Sequence, residues 1–256
     1  YRQRNKINRA RKRSDELLLN ILPEEVAEEL KLKGEAEAVH IDQVTVLFTD
    51  FKGFTAVSEV VTPRQLVHDL HECFSAFDRI CEKHGIEKIK TIGDAYMAAG
   101  GLPTPNTTHA TDAIKAALEM RDFIAEGKVR KVAAGLPYFE IRIGIHTGPV
   151  VAGIVGLKKF QYDIWGDTVN TASRMESSGE VGQVNISEAT YRLVKDAKRV
   201  NGEWSIANGG DSGSTAHSPF TNSHSPAFTF TPRGKVQAKG KGEMEMYFVS
   251  RSLGEG

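Results

Sequence analysis

Apolar and polar positions along the chain predict strands and helices in alternation. A run of apolar and β-branched residues is typical of a buried strand, and spacing of three and four residues is typical of a helix. In the first half these patterns predict a strand at about 43–50, a helix over about 55–84 that breaks at Thr62-Pro63, a hairpin at about 86–99 that turns near Gly93, and a helix at about 108–126.

The second half continues the alternation. The predicted elements are a strand at 139–147, a Gly-rich turn at 148–156, a strand at 158–164, a helix at about 167–178, a short strand at 184–186, a helix at about 187–196 and a closing strand at 244–250. This order predicts an α+β fold with helices on one face of the sheet.

The composition changes abruptly between about 199 and 232. This interval is rich in Ser, Thr, Gly and Pro and has no apolar periodicity. Such a segment buries too little apolar surface to offset its ordering entropy. We therefore expect a disordered or loosely packed surface insertion, with regular structure resuming at Gly234.

The first 34 residues form a separate unit in this interpretation. Residues 1–13 contain basic side chains and no acidic one, which fits the cytoplasmic flank of a membrane span or a solvated helix face. A spacing of three and four residues then predicts a weak parallel coiled coil, and Pro23 predicts the start of a second short helix. The basic residues are Arg2, Arg4, Lys6, Arg9, Arg11, Lys12 and Arg13, and the seam residues are Ile7, Ala10, Ser14, Leu17 and Ile21.

The overall composition is ordinary for a globular protein, with 40% hydrophobic and 26% charged residues among 256. The formal net charge of zero argues against nucleic acid as a general partner. Cys73 and Cys81 are too far apart on one predicted helix face to bridge, so we expect reduced thiols. Because the chain begins at Tyr1 without Met, we expect a piece of a longer protein, with an upstream membrane or sensor domain outside this chain.

Two aspartates, Asp50 and Asp94, follow apolar strand patterns. Carboxylates held at strand ends are rigid oxygen ligands for a hard cation. The segment after Asp50 turns at Gly53 into a helix that includes Phe54 and Thr55, so its backbone N–H groups would face a bound phosphate. The alternative is that Asp50 caps this helix and Asp94 lies in a turn.

Four segments, taken together, resemble the class III nucleotide cyclases. They are Phe48–Thr55, Lys88–Met97, Ile141–Val150 and Tyr162–Met175, in the family's order, and the likeness extends from about Asp42 to about Ser250. The resemblance implies a ferredoxin-like βαββαβ core with additions. It also implies Mg²⁺ as cofactor, two ions per site with Mn²⁺ as a possible substitute, held by Asp50, Asp94 and the carbonyl of Phe51.

Lys90 and Asp163 match the pair that reads the base in this family. Adenine has an acceptor at N1 and a donor at N6, which a lysine and an aspartate complement, whereas guanine inverts both groups. The resemblance therefore implies ATP as substrate and an adenylate cyclase. Taken singly, Lys90 is also interpretable as a solvent-facing lysine and Asp163 as a strand-end cap.

The resemblance assigns further roles along the chain. Asn170 and Arg174, four residues apart on a predicted helix, match the residues that orient the ribose and stabilise the transition state; a surface salt bridge is the alternative for Arg174. Lys239 matches the lysine that contacts the terminal phosphates, and Lys241 is a weaker candidate. His146 lies in an apolar strand and is interpreted as a satisfied core histidine.

In this family the metal aspartates and the base-reading residues come from different protomers. Because this chain contains both sets, the resemblance implies a homodimer with two shared active sites, located on the cytoplasmic side of a membrane. Three alternatives stay open: a guanylate cyclase, a catalytically silent nucleotide-binding module, and a purely structural coiled-coil dimer.

Overall fold

The computed structural model describes residues 2–156, 160–200, 203–206 and 228–252. The helices of these residues are α1 Arg2–Leu19, α2 Glu24–Lys33, α3 Phe54–Val60, α4 Pro63–Lys83, α5 His109–Ala133, α6 Asp167–Ser177 and α7 Glu188–Val194. The strands are β1 Val39–Lys52, β2 Glu87–Ile92, β3 Ala95–Gly100, β4 Glu140–Val155, β5 Gln161–Trp165, β6 Val184–Ser187, β7 Ala197–Val200, β8 Glu203–Ile206, β9 Phe228–Ala238 and β10 Gly242–Arg251.

The main sheet has the strand order β2-β3-β1-β4-β6-β10-β9, and β5 pairs with β4. Its first four strands, with α4 between β1 and β2 and α5 between β3 and β4, form a ferredoxin-like βαββαβ unit. Strands β7 and β8 pair separately. The predicted α+β class and core are confirmed.

Helices cover both faces of the sheet, so the prediction of one covered face was wrong. Leu47 belongs to the core that includes residues of α4, α5 and α7, whereas Val46 and Phe48 belong to a core with Ala27 of α2 and Ala172 of α6. Consecutive side chains of a strand point to opposite faces. Because every residue from Val44 to Thr49 is buried, both faces of β1 require a cover.

Strand β4 continues from Glu140 to Val155, so the predicted turn at 148–156 was also wrong. Gly144 and Gly148 of this strand make room for α6 rather than bend the chain. A Cβ added at Gly148 would lie 2.5 Å from Thr168 Oγ1 on α6. The predicted strand at 158–164 is observed as β5 from Gln161, while residues 157–159 lie outside the described ranges.

Helix α5 extends to Ala133, beyond the predicted end near 126. Its last turns are stabilised by tertiary contacts: Lys128 pairs with Glu140, and Lys131 Nζ lies 2.6 Å from Asp69 Oδ2. Both partners, Asp69 and Glu140, lie outside the helix, so the local pattern of residues does not reveal these stabilising contacts.

Regular structure resumes at Phe228 rather than Gly234, since β9 begins there. Phe228 is buried, and the Phe230 ring centroid lies 5.0 Å from that of Tyr191. Strand β8 also falls within the interval predicted as an insertion. The greater part of that interval, residues 207–227, lies outside the described residues.

The N-terminal segment contains the two predicted helices, with Pro23 directly before α2. Leu22 and Ala27 are buried against the sheet, and Val26 and Leu30 pack beside them. The seam residues Ile7, Leu17 and Ile21 are exposed; pairing through this seam stays a prediction. Within the described ranges, no helix combines the length and apolar character needed to cross a bilayer.

Both cysteines are free thiols. Burial raises the pKa of Cys73 and of Cys81 to about 12. Both side chains therefore stay protonated and unreactive near neutral pH.

Gly144→Ala is expected to destabilise the fold by about 3 kcal/mol or more, since overpacked cores lose this much. A Cβ at this position of β4 would lie 1.9 Å from the backbone nitrogen of Glu176 on α6. Urea unfolding followed by circular dichroism measures the loss. Gly127→Ala is the matched control: its Cβ has 3.8 Å to the nearest atom, and in a helix interior it should stabilise slightly. Equal midpoints for the two variants would contradict the close packing.

Candidate functional site

Asp50 and Asp94 lie near each other at one end of adjacent antiparallel strands. Thr49 of β1 pairs with Tyr96 of β3, so Asp50 is one residue beyond this pair and Asp94 two residues beyond it. Asp94 occupies the two-residue turn of the β2–β3 hairpin with Gly93, whose φ is +61°. The strand register therefore brings the two predicted metal carboxylates together.

The backbone after Asp50 turns sharply at Gly53, where φ is +78°, and α3 begins at Phe54. Gly53 is the N-cap residue, and no side chain caps this helix, which rules out the interpretation of Asp50 as its cap. The Phe51 ring is buried and stacks on Phe139 at 4.8 Å. This packing fixes the Phe51 backbone beside the two aspartates, while Thr55 is exposed.

The chemistry of these donors fits Mg²⁺. Burial raises the pKa of the Asp94 carboxyl, the charge of Asp50 acts in the same direction, and a hydrogen bond from the Phe51 backbone opposes both. A divalent cation between two carboxylates offsets their mutual repulsion and stabilises their charged forms. Across the described residues no group of three or more His, Cys, Asp or Glu side chains forms a metal site. Mg²⁺ is commonly held by one or two carboxylates together with substrate phosphates.

Two residues that the sequence interpretation missed lie against this pair: Arg142 and Glu176. Arg142 is directly opposite Asp50 in the β1–β4 register, and its Nη2 lies 3.1 Å from Asp50 Oδ2. Glu176 Oε1 lies 2.9 Å from both Nε and Nη2 of Arg142. Burial raises the pKa of Glu176 to about 7, with Arg142 opposing the shift. The only local signal was a charged residue in an apolar strand.

Lys90 and Asp163 contact each other directly. The Lys90 Nζ to Asp163 Oδ2 distance is 2.5 Å, although the two residues are 73 positions apart. Lys90 is on β2, Asp163 is on β5, and these strands are not neighbours in the sheet. Asp163 Oδ1 also accepts a hydrogen bond from the Ile164 N–H at 2.8 Å. The predicted pair is thus one local unit whose donor and acceptor stand side by side.

Asn170 and Arg174 share the outer face of α6. Asn170 is exposed and Arg174 is half-buried, whereas Thr171, Ala172, Met175 and Glu176 are buried against the chain's own sheet. Among the described residues Arg174 forms no ion pair, so the salt-bridge alternative has no support. The structure does not bring these two side chains into contact with Asp50 or Lys90 of the same chain.

The β9–β10 turn carries the two candidate phosphate lysines. Lys239 is exposed, whereas Lys241 pairs with Asp167 at the start of α6, and this hydrogen bond lowers the pKa of Asp167. His146 Nδ1 lies 2.7 Å from Ser187 Oγ, and burial lowers its pKa to about 4. His146 therefore behaves as the predicted satisfied, neutral histidine.

Known proteins of one family are similar to this chain. Residues 36–251 match the family described as the Adenylate and Guanylate cyclase catalytic domain. The rat (Rattus norvegicus) guanylate cyclase soluble subunit beta-2 is 37% identical over 95% of this chain and 31% of its own length. An adenylate cyclase of Mycobacterium bovis is 37% identical over 93% of this chain and 46% of its own length. The chain thus spans less than half of these relatives.

A solved structure gives the same result. The adenylyl cyclase CyaB from P. aeruginosa superposes with a TM-score of 0.69 and 27% identity, over 85% of this chain and 97% of that one. Adenylate and guanylate cyclases both occur among the relatives, which leaves the choice of nucleotide to the residues of the site. The chain belongs to the adenylate and guanylate cyclase catalytic domain family.

Proposed function

We propose that the chain is an adenylate cyclase domain that converts ATP to 3′,5′-cyclic AMP and pyrophosphate. The observation that carries this proposal is the contact between Lys90 and Asp163 at 2.5 Å. A cationic donor beside a carboxylate acceptor complements N1 and the N6 amino group of adenine. Guanine would set like groups against each other at both positions. A guanylate cyclase is the second candidate, because relatives of that type are similar to this chain.

The Lys90–Asp163 pair has to open to admit a base. The side chains of Lys90 and Asp163 are 29% and 12% exposed, so their ion pair is largely withdrawn from water. A base with an acceptor for Lys90 and a donor for Asp163 replaces the hydrogen bond that each residue loses when the pair opens. A mismatched base leaves at least one charged group without a partner. Because only a matching base replaces the Lys90–Asp163 contact without loss, the pair selects between adenine and guanine.

Asp50, Asp94 and the Phe51 carbonyl would hold two Mg²⁺ ions, with Mn²⁺ as a possible substitute. When bound, the metal supplies charge neutralisation of the triphosphate and a lower pKa for the ribose 3′-hydroxyl. The chain's own contribution is the rigid placement of the ligands by the β1 and β3 register. The N–H groups after Gly53, from Phe54 and Thr55, would cradle phosphate oxygens, and Lys239 would contact the terminal phosphates.

The outward face of α6 supports a homodimer with two shared sites. Asn170 and Arg174 point away from the sheet that carries Asp50 and Asp94 in the same chain. A planar guanidinium on that face can clamp phosphate oxygens presented by a second copy. In this arrangement each site takes its metal ligands from one protomer and Lys90, Asp163, Asn170, Arg174 and Lys239 from the other.

The N-terminal segment supports attachment to the cytoplasmic face of a membrane. Helix α1 carries the basic cluster, and its apolar seam is exposed at Ile7 and Leu17. A basic flank favours anionic lipid headgroups, and an exposed seam can pair with its copy. We propose that an upstream membrane or sensor domain acts through this helix.

The direct test is turnover of the purified chain with ATP or GTP in the presence of Mg²⁺ or Mn²⁺, with cyclic nucleotides identified by chromatography and mass spectrometry. We expect metal-dependent cyclic AMP and pyrophosphate, and a higher kcat/KM for ATP than for GTP. A preference for GTP would select the second candidate, and nucleotide binding without product would indicate a silent module.

Lys90→Glu combined with Asp163→Cys is expected to lower the ATP/GTP ratio of kcat/KM by about a hundredfold. Two hydrogen bonds of inverted polarity, each worth about 1–2 kcal/mol, account for a change of this size. Competition assays with both nucleotides measure the ratio. Lys12→Glu with Glu16→Cys alters an exposed Lys–Glu pair on α1, remote from the site, and should leave the ratio unchanged. An unaltered ratio in the first variant would show that other residues read the base.

A further inference from the structure

The Arg142 guanidinium is shared between two carboxylates, each of which accepts one of its hydrogen bonds. Arg142 donates Nε to Glu176 Oε1 at 2.9 Å and Nη2 to Asp50 Oδ2 at 3.1 Å, and Glu176 Oε1 also lies 2.9 Å from Nη2. A bidentate arginine–carboxylate pair needs two adjacent N–H groups, and Nε with Nη2 is one such set. In this structure Glu176 accepts from Nε, and Nη2 donates to Asp50, so Arg142 forms no bidentate pair with Asp50.

Arg142 cannot move far from Asp50, because the two residues are direct partners in the β1–β4 register. Side chains opposite each other on antiparallel strands lie within contact distance. Without Glu176, Arg142 Nε would lose its acceptor, and Nε and Nη2 together could bind both oxygens of Asp50. Those oxygens are the ones that a cation between Asp50 and Asp94 requires.

Glu176 lies on a helix that packs tightly against the strand of Arg142. Its side chain is largely buried, and its backbone nitrogen lies only 1.9 Å from the position that a Cβ on Gly144 would take. Helix α6 thus packs directly on β4, with Met175 and Ala172 also fully buried. The Glu176 carboxylate that contacts Arg142 is therefore positioned by helix α6 and not by a loop.

We propose that Glu176 is a positioning residue that holds Arg142 away from bidentate closure on Asp50 and so keeps Asp50 available to the metal. The inference rests on the proposed metal-dependent cyclase activity. Replacing a residue that orients a metal ligand without itself binding the metal typically lowers metal affinity by 10- to 100-fold. Glu176 acts through Arg142 and has no contact with substrate in this proposal.

The test is Mn²⁺ binding to the full chain in the presence of 3′-deoxy-ATP, which lacks the attacking hydroxyl, measured by electron paramagnetic resonance. Glu176→Gln is expected to raise the Mn²⁺ Kd about tenfold, with kcat at saturating Mn²⁺ within about threefold of wild type. Glu176→Asp keeps the charge but withdraws the carboxylate, and should raise the Kd as well. Glu180→Gln, an exposed neighbour whose nearest cation is 3.8 Å away, is the control and should leave the Kd unchanged.

A second comparison separates positioning from simple loss of charge. In an Arg142→Gln background, Glu176→Gln should change the Mn²⁺ Kd by less than about twofold, because the group it restrains is gone. A full tenfold effect in that background would overturn the proposed route through Arg142. Unchanged Kd values for Glu176→Gln in an otherwise active cyclase would overturn the inference alone, whereas a wild-type chain with no cyclase product would overturn the proposed function.

Discussion

Asp50→Asn and Asp94→Asn are each expected to lower kcat/KM for ATP by about a thousandfold or more, equivalent to about 4 kcal/mol of transition-state stabilisation. Each change neutralises one of two carboxylates, and the triphosphate charge then lacks compensation. The fold should persist, because Asn has nearly the same size as Asp and keeps an oxygen that can accept the hydrogen bond that Arg142 Nη2 donates to Asp50. Turnover at high Mg²⁺ and Mn²⁺ measures the effect, and circular dichroism measures the fold.

Asp42→Asn is the control for this experiment. Asp42 lies on the same strand, and its side chain is 94% exposed, so its replacement should leave turnover unchanged. Substantial activity of either Asn variant, in a folded protein with either metal, would reject Asp50 and Asp94 as the metal ligands.

Mixing two inactive variants is expected to restore about a quarter of wild-type activity. Asp50→Ala and Arg174→Ala homodimers should each be inactive, because each lacks one half of both shared sites. In a mixed dimer one site combines the intact Asp50 of one chain with the intact Arg174 of the other, and the second site carries both lesions. With random exchange about half of the dimers are mixed, each with one working site of two.

Subunit exchange has to be verified independently, for example with differently tagged protomers. An inactive mixture despite exchange would mean that both residues serve a site within one protomer. The outward orientation of Arg174 and the inward orientation of Glu176 on the same helix are the reasons to expect recovery.

Local patterns were sufficient for most elements of the first half. The break at Thr62-Pro63 is observed between α3 and α4, where Thr62 Oγ1 accepts from the Gln65 N–H at 3.2 Å, and the hairpin turns at Gly93 as predicted. Such features depend on neighbours in sequence, so they are readable without the fold. The errors at 148–156 and at the end of α5 arose where distant partners outweighed local preference.

The candidate site divides in the same way. The sequence by itself determined the candidates Asp50, Asp94, Lys90 and Asp163, because strand patterns and a family resemblance lie in contiguous segments. Only the tertiary structure decided that Arg142 faces Asp50 across 92 positions, that Glu176 holds Arg142, and that helices cover both faces of the sheet. Strand register and helix packing depend on which surfaces of the chain bury each other. The residues that form these contacts are far apart in sequence, so a local pattern does not reveal them.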